Sequence, residues 1–320
     1  MDTNKIGWFS VVVGLALVAL SGASWGYDAP TDKPQFMQRP PAPLPAGSYD
    51  AAYDHYLAGN YAFAFQLALA RAQQRDPRAQ ALLGVFYLEG TVVPFDGALA
   101  ALWFGRAAKQ GDPQAALRYG LMLFNGQYVP RDPKRGREFI RYAALSHLPE
   151  AYFYYGQLLL KTASSDDDLD RALDWFLRGV TMNDPDSLVA AAGILAEGTP
   201  QHPRDEKRAR SFLRQASVQN YPLAQTILAQ WLIDGRGGSK DSKEALSLLL
   251  SAAQQNILAA QIALARFYRD EADKVVAAAW YFLAKRTGVT TPDLETMLQT
   301  LTPQEQKQAV AHAFRLQPPL

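Results

Sequence analysis

Apolar and small residues recur along most of this chain at spacings of three and four, the signature of one face of an α-helix, and the pattern itself returns about every 36 residues. With Ala79 as the origin of the first full repeat, later repeats begin at Ala115, Ala151, Leu188, Ala224 and Ala260, at offsets of 36, 36, 37, 36 and 36. A shorter stretch, residues 51–78, precedes them. It ends Asp76-Pro77-Arg78-Ala79, much as repeat 1 ends Asp112-Pro113-Gln114-Ala115. An interval of this size indicates stacked supersecondary units. The expectation is an all-α chain, an α/α solenoid of one partial and six full helix pairs over residues 48–288.

Equivalent positions within the repeat make physical sense. The sixth is small (Gly84, Gly120, Gly156, Gly193, Ala229, Ala265), as a close approach of two helix backbones requires. Glycine inside a helix costs about 1 kcal/mol against alanine, so four at one position imply a packing reason. The twelfth carries Gly90, Gly126 and Gly235, suited to the left-handed residue that ends a helix.

A short loop follows, Val93-Pro94-Phe95-Asp96 in repeat 1 and Val129-Pro130-Arg131-Asp132 in repeat 2, and its Asp recurs as Asp168, Asp205, Asp241 and Asp273. Each Asp is placed to cap the second helix, where a carboxylate meets free backbone N–H groups and the positive end of the dipole. The second helix then alternates small, bulky and small. In repeat 1 these are Ala100, Trp103 and Ala107; the bulky column continues Phe139, Trp175, Phe212, Leu248, Trp280.

On the first (A) helix of each repeat, positions 1, 5, 8 and 9 share the inward side, so positions 3, 7 and 10 face the concave surface of a solenoid. In repeats 1 to 3 that face is apolar: Ala81, Val85, Leu88; Leu117, Leu121, Phe124; Phe153, Gln157, Leu160. In the last two repeats it reads Thr226, Gln230, Ile233 and Ile262, Arg266, Arg269. An apolar stripe of this length suits an amphipathic helix or an extended peptide, and Tyr152 and Tyr154 beside Phe153 would add aromatic contact area. The expected partner-binding groove is therefore Val85, Leu88, Leu117, Leu121, Phe124, Tyr152, Phe153, Gln157 and Leu160. The competing expectation is that neighbouring A helices, or the preceding proline-rich segment folding back, cover the stripe.

The repeat resembles the Sel-1-like repeat family, relatives of tetratricopeptide repeats. The likeness rests on Leu83-Gly84 with Tyr87 and Gly90, the Val-Pro-x-Asp loop, Trp103, Ala107-Ala108 and Gly111-Asp112. A 36-residue interval favours it over the 34 of tetratricopeptide units. The resemblance implies a right-handed superhelix of helix pairs acting as an assembly scaffold or adaptor, with no catalysis and no cofactor. Beyond Gly288 the period stops. Thr302-Pro303-Gln304-Glu305 is a capping box opening a helix to about Arg315, so residues 289–320 read as C-terminal capping helices.

Composition narrows the chemistry. A net charge of +1 argues against a nucleic-acid partner. With no cysteine there are no disulfides, thiolate nucleophiles or lipid-acylated anchor residue. His55, His147, His202 and His312 lack metal-pair spacing, and no nucleophile elbow or phosphate loop occurs. The run Asp166-Asp167-Asp168 lacks the glycine and distal glutamate of a calcium loop and is expected to cap a helix, while Arg204 to Arg210 is expected to be a solvated helix face.

At the N-terminus, Lys5 precedes an apolar stretch, Ile6 to Ala23, and the small residues Ser21, Gly22 and Ala23. Residues 1–26 thus read as a signal peptide, with a retained membrane anchor as the alternative. Residues 27–47, with six prolines, form an extended linker. The chain is accordingly expected in the periplasm, with or without inner-membrane anchorage. Another protein or peptide, an envelope component, is the expected partner. The alternative is a glycan or peptidoglycan module using Tyr152, Tyr154 and Trp231 as stacking platforms; against it, Trp231 falls at a core position of the repeat.

Overall fold

The structure, a computed structural model, describes residues 51–163 and 165–316. Among them are sixteen helices and no strands. Chain contacts divide the protein into two compact halves, one ending at Gly179 and one starting at Val180. The signal or anchor segment and the proline-rich linker lie outside the described residues.

In the N-terminal half, a short leading pair, α1 (Ala51–Leu57) and α2 (Tyr61–Gln73), is followed by three repeats. These are α3 (Pro77–Glu89) with α4 (Gly97–Lys109), α5 (Pro113–Asn125) with α6 (Pro133–Leu145), and α7 (Pro149–Lys161) with α8 (Asp166–Thr181), whose last two residues belong to the second half. The C-terminal half holds α9 (Pro185–Glu197) with α10 (Glu206–Val218), α11 (Pro222–Asp234) with α12 (Ser242–Gln254), and α13 (Leu258–Asp270) with α14 (Lys274–Lys285). Helices α15 (Pro292–Gln299) and α16 (Pro303–Leu316) close it, α16 lying against α14. The A and B helices of a pair pack together, and each B helix also meets the next A helix where both lie in one half. This is the stacking of a repeat solenoid.

Capping fixes where each helix starts. Asp76, Asp112 and Asp184 accept backbone N–H bonds at the first turn of α3, α5 and α9, with proline next in sequence. The loop aspartates do the same for the B helices: Asp96 accepts from Leu99 N, Asp132 from Arg135 N, Asp205 from Arg208 N, Asp241 from Glu244 N and Asp273 from Val276 N. Each also donates its own N–H back to the A helix, as Asp96 does to the Tyr87 carbonyl at 2.9 Å and Asp132 to Leu123 at 2.8 Å. One residue thus fastens both helices of the pair. Gly90, Gly126 and Gly235 end their A helices with φ of 66°, 74° and 80°.

Two expectations need correcting. Asp168 is not the cap of α8, because that helix already begins at Asp166; its carboxylate instead accepts from Ser165 N and Oγ, the far side of a capping box. Next to the bulky column that starts at Trp103 runs a second one, Phe104, Ile140, Phe176, Leu213, Leu249 and Tyr281, all buried, and its first three members lie against the glycines of the sixth position. A Cβ on Gly84 would lie 2.8 Å from the Phe104 ring, and one on Gly156 2.5 Å from Phe176. Trp103 and Trp175 are half-buried and stack under Arg106 and Arg178. Finally, Arg210 is not solvated: it is buried and donates to the carbonyls of Arg236 and Ser239, pinning the α11–α12 loop.

A further repeat column lies in the turns that precede the A helices. The residue before each A-helix cap is left-handed: Arg75, Gly111, His147, Asn183, Asn220 and Asn256, with φ between 57° and 89°. The B-to-A turn demands that conformation. Asparagine and glycine supply it at little cost, and arginine and histidine do not.

Candidate functional site

The nine residues expected to line the groove all lie in the N-terminal half, on three successive A helices: Val85 and Leu88 on α3, Leu117, Leu121 and Phe124 on α5, and Tyr152, Phe153, Gln157 and Leu160 on α7. Eight are buried, Leu121 to 1% exposure and Gln157 to 2%, and Leu160 is half-buried. The strip is therefore withdrawn from water rather than displayed to it.

The nine do not all point the same way. Tyr152 sits at 2.9 Å from His147 Nδ1 through its hydroxyl and tilts against Trp175, so it belongs to the junction of α7 with α8 and the preceding turn. Phe153 packs on Phe176 and edge-on against Tyr154. The Lys161 ammonium lies 5.2 Å from the centre of the Phe124 ring, a cation–π contact at the end of α7. Gln157 is buried and its Oε1 has no hydrogen-bond partner, which costs about 1–3 kcal/mol for an acceptor taken out of water.

A polar cluster accompanies the strip. Arg118, on α5 beside Leu117, is only 7% exposed, and its guanidinium carbon stands 5.7 Å from the Phe104 ring. Burial lowers its pKa, opposed by Glu150, Tyr154, Tyr56 and Glu89 around it. Tyr56 donates to Glu89 Oε1 at 2.7 Å, and burial, then that bond, raises its pKa. Four helices thus converge on one buried cation. The sequence held the signal: the fourth repeat position reads Leu82, Arg118, Tyr154, Ala191, Ile227, Ala263, with a single charge in the column.

The other residues singled out are structural in placement. Trp231 is buried, under Arg236 at 4.4 Å. His55 stands edge-on to Phe63. Among the described residues there is no group of three or more His, Asp or Glu side chains able to hold a metal ion, and no helix is long and apolar enough to cross a membrane.

This architecture has counterparts. A Sel1 repeat protein from Oxalobacter formigenes superimposes with a TM-score of 0.66 at 22% identity, over 75% of this chain and 97% of that one. The c5321 protective antigen of uropathogenic Escherichia coli, which has an SLR fold, does so with a TM-score of 0.50 at 22% identity, over 82% of this chain and 66% of that one. No curated protein matches the chain. The Sel1 repeat profile matches five consecutive stretches, residues 77–112, 113–147, 149–184, 185–221 and 222–257. The pair α13–α14 lies beyond those matches and repeats their packing. With more than half its length in matched repeats, the chain belongs to the Sel1 repeat family.

Proposed function

We propose that this protein is an exported scaffold, without chemistry of its own, that holds an envelope polypeptide along the A-helix face of repeats 1 to 3. The carrying observation is the run of Val85, Leu88, Leu117, Leu121, Phe124 and Phe153 over three successive A helices, punctuated by the buried polar groups of Arg118 and Gln157. A peptide-binding face uses buried polar groups among apolar ones to fix the register of its ligand. The Sel1 repeat, a general protein-interaction scaffold, supports the reading. Export rests on the apolar stretch after Lys5.

Truncation separates this role from packing. Leu88→Ala and Phe124→Ala remove contact area from the strip, and Ile233→Ala removes it from the equivalent position of repeat 5. The expected result, with melting temperatures measured alongside, is loss of a co-purifying envelope polypeptide in the first two and its retention in the third. Retention in all three would contradict the proposal.

A further inference from the structure

Charge is not spread evenly over this chain. Residues 97–145, the span from α4 to α6, carry eight Lys or Arg against three Asp or Glu, a net of +5 in a protein whose whole charge is +1. One of the eight, Arg118, is the buried cation described above, and Arg131 donates to the Phe124 carbonyl. The other six stand exposed on two B helices: Arg106 and Lys109 on α4, and Lys134, Arg135, Arg137 and Arg141 on α6. Arg135 reaches only its own cap, Asp132, at 3.9 Å, and among the described residues the remaining five form no ion pair. The arginines in and before α10 are held differently: Arg204 pairs with Glu206, Arg214 pairs with Glu244, and Arg210 is buried.

Apolar side chains share the same outer faces. On α4, Leu99, Leu102, Arg106 and Lys109 follow one another at spacings of three, four and three and are all exposed, so one face runs from apolar to basic. On α6, Lys134, Glu138, Arg141 and Leu145 do so at four, three and four, with exposed Tyr142 beside them and Glu138 as the single acid. Leu102 is 47% exposed and Leu145 53%. The two faces are joined where Tyr142 donates to the Gly111 carbonyl at 2.9 Å, in the turn that follows Lys109. The next B helix, α8, has Asp167 and Asp168 in its first turn, which bounds the basic surface on that side.

We propose that this outer face of α4 and α6 docks the protein on an anionic phospholipid surface. The fit is of two kinds. Ammonium and guanidinium groups without a carboxylate of their own suit headgroup phosphates, and the leucines and the tyrosine interleaved with them enter the boundary with the acyl chains, where tyrosine is favoured. A strongly acidic polypeptide would answer the cations and leave Leu99, Leu102 and Leu145 against charge. Each Lys or Arg beside an anionic leaflet is worth roughly a fivefold gain in affinity, so six cations with one acid among them hold firmly at low salt and let go as salt rises. The surface is built from B helices alone and is independent of the scaffold reading.

The chain has no cysteine, so a single one can carry an environment-sensitive dye. Leu145→Cys is labelled in the full chain, and Val218→Cys, at the corresponding exposed position of the repeat 4 B helix, serves as control. Each is mixed with vesicles of phosphatidylcholine alone and with vesicles of phosphatidylcholine and phosphatidylglycerol. The expected result is a blue shift at position 145 with the anionic vesicles only, reversed by high salt, and none at position 218. Combining Lys134→Glu, Arg137→Glu and Arg141→Glu, all at exposed positions, should weaken the response about a hundredfold or more while far-UV helicity is kept. No shift with anionic vesicles, or an equal shift at position 218, would overturn the proposal. So would an equal shift with neutral vesicles, since apolar insertion and not charge would then bring the chain to the lipid. A shift produced by soluble polyglutamate and by no vesicle would make the partner an acidic polypeptide, which also overturns it.

Discussion

Gly120 and Gly136 meet backbone to backbone: a Cβ on Gly120 would lie 2.9 Å from the Gly136 carbonyl oxygen, and one on Gly136 would lie 2.7 Å from the Gly120 carbonyl oxygen. Neither helix can yield, because the obstacle is main chain held in its own hydrogen-bond ladder. Alanine is favoured over glycine by about 1 kcal/mol in a free helix. Here the contact reverses the sign, and Gly136→Ala is expected to destabilise by about 1–3 kcal/mol in a urea titration. A stabilised variant would mean that α5 and α6 are further apart than described.

Phe104 and Trp103 are neighbours with different duties. Phe104 fills the space above Gly84 and is fully buried, while Trp103 is half-buried beneath Arg106. Phe104→Ala is expected to cost about 3–5 kcal/mol. Trp103→Ala should cost less than about 2 kcal/mol, chiefly the stacking with Arg106 and partial burial. Equal losses in thermal melts would argue against the assignment of the buried column.

The two residues also show where reading the sequence succeeds and where it stops. Spacings of three and four both return to one helix face, so Ala100 and Ala107 locate the face but leave Trp103 and Phe104 as rivals for its centre. The larger ring is the natural choice, yet it is the smaller Phe104 ring that lies against Gly84. The period, the cap aspartates and the terminal glycines were readable because each rests on local backbone chemistry. Thr302 and Glu305 likewise form the expected box, with Thr302 N donating to Glu305 Oε2 at 2.7 Å. Asp168 departs from the column because repeat 3 replaces the proline loop with a run of acids, which moves the helix start upstream. The groove strip was located by periodicity, but its exclusion from water depends on what covers it, which no single-helix pattern encodes.

Arg75 holds a left-handed φ of 66° in the turn before α3, a conformation that costs a non-glycine residue roughly 1–2 kcal/mol. Arg75→Gly relieves that strain at the expense of a more flexible unfolded chain, leaving a net gain of roughly 0.5–1 kcal/mol. Asn183→Gly, at the equivalent turn with φ of 57°, should change stability much less. Chemical denaturation of both variants checks the difference.

Asp293 ties α15 to α13 through Arg266 at 2.9 Å and Arg269 at 2.7 Å. The Arg266 hydrogen bonds, reinforced by Arg269, hold its pKa down at about 2 against an ordinary value of 3.8. A depressed carboxylate pKa stabilises the fold wherever the unfolded form would also be ionised, so the contribution is complete above about pH 4 and disappears as pH falls towards 2. The pair is largely solvated, which limits the effect to under about 1 kcal/mol. Acid titration of the wild type and Asp293→Asn should show curves that differ above pH 4 and converge below; parallel curves throughout would contradict the coupling.

The central claim is that the A-helix face of repeats 1 to 3, and not that of the later repeats, holds a partner. A photo-reactive residue placed at position 157, and separately at position 230, tests this in intact cells. The account predicts a polypeptide adduct from the envelope fraction at position 157 and none at position 230. Adducts of equal yield at both positions, or at position 230 alone, would contradict it.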